Sequence, residues 1–336
     1  MTSSKPTCGS SRSKGKTAIV VTVIALLAPI PAIAQGPART PWGDPDLQGT
    51  WDFTTITALE RPAQFAGRAF LTENEAAALE KQINDQRYKT EASSPGSLGG
   101  IPRAETDPGI YNLSWWWGPN GRTLVRSRRS SLVVDPPDGK IPPLTTQAQA
   151  ISNARDAARE LRRAPNDLPL AERCIMGFNS GPPMVPGPYN NVVQIFQSPG
   201  FVVIVNEMVH DARIVPLDGR PKLGEAIRFW SGEPRGHWDG ATLVVETHNF
   251  TDNGTATFGV PGLIDKNLVL VERFTRADDR SLTYQFTITD PTVWPKPWSA
   301  EVPMTRIDGF VMEYACHEGN YGLANILAGA RAEEKR

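Results

Sequence analysis

From Val192 onward the chain repeats one pattern, short apolar segments bounded by turns, with no helical stretch between them. The segments fall at 192–197, 201–207, 212–217, 226–230, 242–248, 267–275, 281–288, 298–306 and 310–316. Within them the side chains alternate. Leu268, Leu270, Glu272 and Phe274 share one face, while Val269, Val271 and Arg273 share the other. Leu282, Tyr284, Phe286 and Ile288 repeat the pattern. A period of two marks strands with one face turned inward. Evenly spaced strands without crossover helices predict an antiparallel meander or barrel. They disfavour a parallel α/β fold, and no glycine-rich phosphate loop is present.

The first half is less regular. Thirty prolines and 29 glycines suit many turns joining short elements rather than a long helical bundle. Two helices are nevertheless predicted. The first covers 72–88, where Thr72 and Glu75 form a capping box ahead of an Ala-rich stripe. The second covers 146–164, with Arg155, Arg159, Arg162 and Arg163 on its polar side. Tyr111–Trp117 and Arg122–Val134 read as a hairpin around Gly118-Pro119-Asn120-Gly121.

Residues 1–34 read as a signal peptide. Lys5, Arg12, Lys14 and Lys16 precede the apolar run Ala18–Ala28, and Ala32-Ile33-Ala34 supplies a cleavage pattern. That run is too short for a stable membrane span, and no later stretch approaches it. The expectation is a periodic, β-rich domain over 35–336, exported to the periplasm or beyond, with no membrane span after cleavage. Of three cysteines, cleavage removes Cys8 and leaves Cys174 and Cys316, which are expected to bond in an oxidising compartment. The competing reading makes Cys316 a nucleophile beside His317.

Phe201–Pro221 concentrates the candidate chemistry. An apolar run, Phe201–Val205, delivers Glu207, His210, Asp211 and Arg213 into the next strand. Charges beside such segments are costly to bury unpaired. Histidine suits proton transfer near neutrality. A nearby carboxylate favours the imidazolium, and an Arg favours an ionised Asp. His210 is therefore the candidate acid/base, Asp211 or Glu207 its orienting carboxylate, and Arg213 an anion stabiliser. The alternative is a buried Asp–Arg pair that holds a hairpin. A Cys174–Cys316 bond would bring His317 and Glu318 to the same rim, with His317 as a second acid/base meeting His210 or Glu207. Trp115, Trp116, Trp117, Tyr189 and Glu318 are candidate ligand contacts. No cofactor is expected. A divalent metal held by His and carboxylate ligands is conceivable there, although the spacing matches no metal motif. His237 and His248 are read as surface or strand-end residues.

Gly49-Thr50-Trp51, behind a short polar turn, resembles the opening of lipocalin-like (calycin) barrels, which implies a Trp closing the barrel bottom and a Gly permitting close approach. PDLQGTW, EMVHDARIVPLDGRP, GHWDGATLVVET, VERFTRAD and YACHEGNYGLANILAGAR together resemble a large family of secreted bacterial proteins of unassigned function. That resemblance implies export and a shared fold, and transfers no activity.

The expected architecture is mainly β: an antiparallel lipocalin-like barrel with two or three accessory helices. The expected function is acid/base chemistry of the lyase, isomerase or hydrolase type on a small, largely apolar organic molecule. A periplasmic carrier for a small hydrophobic ligand is the alternative. With 35 basic against 36 acidic residues, a nucleic-acid partner is not expected. Nothing in the sequence fixes an oligomeric state.

Overall fold

A computed structural model describes residues 38–93, 121–252, 260 and 266–335. These fall in a compact unit spanning Pro37–Arg336. The expected signal peptide, Cys8, the Trp115–Trp117 cluster and the turn at Gly118–Asn120 lie outside the described residues.

The described chain is mainly antiparallel β-sheet with three helices. In order, β1 is Gly49–Asp52, α1 Glu73–Ser93, β2 Val133–Asp135, α2 Thr146–Leu161, β3 Val192–Ser198 and β4 Phe201–Asn206. Then come β5 Ala212–Pro216, β6 Glu233–Asp239, β7 Thr242–His248, β8 Val269–Arg276, β9 Ser281–Thr289, β10 Trp298–Ile307 and α3 Tyr321–Glu333. The strands form one sheet in the order β5-β4-β3-β1-β10-β9-β8-β7-β6, with β2 paired to β10 off this path. Every pairing is antiparallel. The ladder does not close, because no strand pairing joins β5 to β6 among the described residues.

The alternation read from the sequence sets which face is inside. In β8 and β9 every second residue is buried. Phe274, Tyr284, Phe286 and Trp298 are all about fully enclosed, and their rings follow one another at 4.9, 5.8 and 5.6 Å. Fully burying a large apolar side chain contributes about 1.5–3 kcal/mol, so this aromatic row is a principal source of cohesion. Trp51 is completely buried, and its indole N–H donates to the Leu47 carbonyl at 3.0 Å. Gly49, at φ +140, lies where a Cβ would come within 3.3 Å of the Arg306 guanidinium. The positive φ is what favours glycine at this position.

The sheet curls until its end strands lie side by side. A Cβ on Gly236 of β6 would sit 2.7 Å from Val215 of β5 and 2.6 Å from Leu217. The contact is made by packing rather than by a ladder. Pro234 fits this arrangement, since β6 pairs through β7 alone and Pro is tolerated on a sheet's end strand.

Several boundaries differ from expectation for identifiable reasons. Residues 226–230 form turns with a single bridge, Phe229 to Phe250, and the strand is 233–239 instead. Its composition is weakly apolar, so pairing with β7 and packing on β5 select it over local propensity. The 310–316 segment is irregular rather than a strand. Of the expected hairpin, the described arm contributes only the short β2, with a left-handed Arg128 at φ 55 interrupting it. Helix α3 fits the expected two or three accessory helices, but its position has little local signal, since Gly322 and Gly329 lower its propensity. Asn320 caps it, accepting from the Leu323 N–H at 3.1 Å. The capping box of α1 is formed: Glu75 accepts from the Thr72 N–H at 2.9 Å, and the Glu75 N–H donates to Thr72 Oγ1 at 3.3 Å.

Among the described residues no helix is long and apolar enough to cross a membrane. The Cys174–Cys316 disulfide is formed, with Cα atoms 5.6 Å apart.

Candidate functional site

The charges of Phe201–Pro221 separate into two places. Residues of β4 and β5 alternate inward and outward, and the register sends Arg213 inside while Ala212 and Ile214 face out. Arg213 Nη1 donates to Glu272 Oε2 at 2.6 Å and Nη2 to Oε1 at 2.9 Å. Their side chains are only 2% and 0% exposed. The Tyr284 hydroxyl donates to Glu272 Oε1 at 2.7 Å and accepts from the Met184 N–H at 3.1 Å. Burial works against the Arg213 charge, but the charge and hydrogen bonds of Glu272 outweigh it, and its pKa is raised. Burial, reinforced by the Glu272 charge, drives the Tyr284 hydroxyl well above its usual range.

This arrangement commits its members to one another. Glu272 takes both guanidinium nitrogens and a phenol, and Arg213 spends its fork on Glu272. Arg213, expected as an anion stabiliser, is paired inside the sheet instead, because its register position points away from solvent. Nor is it paired with Asp211, whose Oδ2 accepts from Ser231 Oγ at 3.2 Å. At the end of β4, Asn206 is 1% exposed, and neither amide atom has a hydrogen-bond partner among the described residues.

The second place is the rim, where β4 turns into β5. Glu207 opens the tight turn Met208–His210 and is half-buried. Val209 sits at φ 61 and His210 at φ 44. A β-branched residue in the left-handed region is a true outlier, and strain of this kind costs about 1–3 kcal/mol per residue. Burial pushes the Glu207 carboxyl above its ordinary value, the Met312 N–H that it accepts from opposes this, and the nearby Asp52 charge adds to it. His210 is exposed, with Nδ1 3.3 Å from the Tyr314 carbonyl oxygen. The Tyr189 ring lies 6.4 Å from that of Tyr314 and makes an edge contact with Phe178 at 5.2 Å.

His317 and Glu318 follow the disulfide and are both exposed. Among the described residues neither side chain is joined by a hydrogen bond or ion pair to Glu207 or His210. Cys316 is bonded to Cys174 and not a free thiol. No group of three His, Cys, Asp or Glu side chains that could hold a metal occurs among the described residues. His248 ends β7 beside Glu246, with Lys222 Nζ 3.2 Å from its Nε2, and His237 is exposed on β6.

A separate groove of about 1560 Å³ runs along α2. Leu144, Ile151, Leu168, Leu170 and Trp230 line it together with Arg159 and Arg173. None of Glu207, His210, Arg213 or Glu272 reaches it.

The functional candidates that sequence reasoning missed are Glu272, Tyr284, Met312 and Tyr314. Glu272 carried a usable signal, a carboxylate in the apolar phase of its strand. Met312 and Tyr314 carried none, because they meet Glu207 and His210 through main-chain atoms. No protein-family model, curated protein or solved structure matches this chain.

Proposed function

We propose that the protein is an exported, lipocalin-like barrel enzyme that performs acid/base chemistry on a small, largely apolar organic molecule at the rim between β4 and β5. The curled sheet acts as a barrel whose seam, at β5 and β6, is packed rather than hydrogen-bonded. His210 is the proton-transfer residue and Glu207 its partner carboxyl. Asp211 serves the turn through Ser231. Arg213 maintains the barrel interior.

The observation that carries this reading is the strained turn itself. Val209 and His210 hold consecutive left-handed conformations, and residues kept in such conformations cluster at active sites and ligand clamps. Here the strain presents an exposed imidazole three residues from a carboxyl raised by burial, and His and Glu are residue types suited to proton transfer. Tyr189 and Tyr314 offer an apolar flank for the substrate. Reaction types that need only a positioned acid and base fit this set, namely lyase, isomerase or ester-hydrolase chemistry.

The test is a mass-spectrometric screen of the mature protein against small esters, lactones, epoxides and ketones with acidic α-protons. Conversion should fall about 100-fold or more in His210→Ala and markedly in Glu207→Gln, the range for loss of a general acid or base. Conversion that both variants retain would overturn the proposal.

The groove along α2 favours a second reading, a carrier for a small hydrophobic ligand. It mixes apolar side chains such as Leu144, Ile151, Leu168 and Trp230 with charged ones such as Asp156, Arg159 and Arg173, and ligand sites commonly pair apolar walls with a few polar groups. Native mass spectrometry of protein taken from its host distinguishes the two. An unmodified ligand that is lost in Trp230→Ala supports the carrier.

A further inference from the structure

The residues just before Cys316 run directly over the strained turn. The Met312 N–H donates to the Glu207 carboxylate, the Tyr314 carbonyl meets His210 Nδ1 at 3.3 Å, and the Tyr314 ring packs on Tyr189 at 6.4 Å. The disulfide then ties this strap to Cys174, 142 residues earlier in the chain. Asn320 secures the same junction from the other side, donating to the Glu172 carbonyl at 2.9 Å and to Cys174 Sγ at 3.3 Å. No regular secondary structure holds residues 310–315, and the strap is anchored by these contacts and by the covalent link at Cys316.

We infer that the disulfide-clasped strap is a positioning element for His210, its Tyr314 carbonyl fixing the Nδ1–H tautomer so that Nε2 is left free as the base. A carbonyl oxygen only accepts, so the nitrogen facing it must carry the proton. The neutral ring has one proton, and the nitrogen left bare is then Nε2. The same device orients metal-bound histidines elsewhere. This inference rests on the acid/base reading of the rim. It assigns Tyr314 as a positioning residue, acting through its main chain, and gives the Cys174–Cys316 bond a role beyond cross-linking.

The experiment reads the tautomer directly, without any substrate. Long-range proton–nitrogen NMR spectra of uniformly ¹⁵N-labelled mature protein, above the imidazole pKa, distinguish a protonated Nδ1 from a protonated Nε2. In the oxidised protein His210 should show Nδ1–H. After reduction by a water-soluble phosphine, and in the double variant Cys174→Ser/Cys316→Ser, it should revert to the Nε2–H form that free imidazole side chains favour in water, with the amide signals of the sheet unchanged. Nε2–H in the oxidised protein would overturn the inference, as would Nδ1–H that survives reduction. Loss of the sheet signals on reduction would overturn it too, since the clasp would then be a staple for the whole fold. The result is separable from the turnover screen. A tautomer indifferent to the clasp in an enzyme that needs His210 defeats only the strap, and a clasp-dependent tautomer in a protein without turnover defeats only the enzyme.

Discussion

Arg213 and Glu272 lie far apart in the ladder of the sheet, yet their side chains meet fork to fork at 2.6 and 2.9 Å inside it. Strands so far apart in the ladder can make such a contact only if the sheet curls, so this one pair reports the shape of the fold. Its energetics are those of a buried ion pair. Desolvation offsets most of the Coulombic gain, while losing one partner strands the other charge. Glu272→Ala and Arg213→Ala should each lower stability by about 3–5 kcal/mol. The double variant should cost less than the sum. Urea midpoints for the four proteins provide the check, and simple additivity would show that the two residues do not act as a pair.

Gly236 marks the seam. Its missing Cβ is the space that Val215 and Leu217 occupy, at 2.7 and 2.6 Å. Gly236→Ala should cost about 1–3 kcal/mol by overpacking and speed amide exchange in β6 ahead of β9. Unchanged stability would mean that the end strands do not depend on their mutual contact.

Glu207 makes stability depend on pH in a defined direction. Its folded pKa lies above the ordinary 4.5, chiefly through burial. The neutral carboxyl is thus favoured in the folded state. The associated stability is complete below pH 4.5 and is lost as pH rises through the folded value. Glu207→Gln removes this titration. Against wild type, the variant should gain stability between acid and neutral pH, as thermal melts on either side of pH 4.5 would reveal. A variant that loses ground towards neutrality would contradict the burial argument.

Glu75 has the opposite sign. The hydrogen bond from Arg68, with further ones from Thr72, holds its carboxyl down from 4.5 to about 2. Its contribution to the start of α1 is present above 4.5 and disappears as pH falls towards 2. Amide exchange at Ala76 should accelerate over that interval. Thr72→Ala should produce fraying at neutral pH, at a cost of roughly 0.5–2 kcal/mol.

Much of the fold was legible because a period-two pattern is a local property. Leu270, Phe274, Tyr284, Phe286 and Ile288 announce which face of β8 and β9 is inside, and the α1 capping box is likewise written in adjacent residues. Segments whose structure is set by distant partners were less legible. Glu233–Asp239 is a strand because β7 and β5 accept it, and 310–316 is irregular because the disulfide and the rim, rather than a neighbouring strand, hold it.

The candidate site divides along the same line. The sequence by itself determined that Glu207, His210, Asp211 and Arg213 arrive together beside strongly apolar segments, and it pointed to Cys174 and Cys316 as a bonded pair. Only the tertiary structure decided that Arg213 turns inward to Glu272 and that main-chain atoms of Met312 and Tyr314 reach the rim. The physical reason is that side-chain direction along a strand follows from local alternation. The identity of a partner 59 or 104 residues away depends on how the sheet curls and on where a covalent clasp lands.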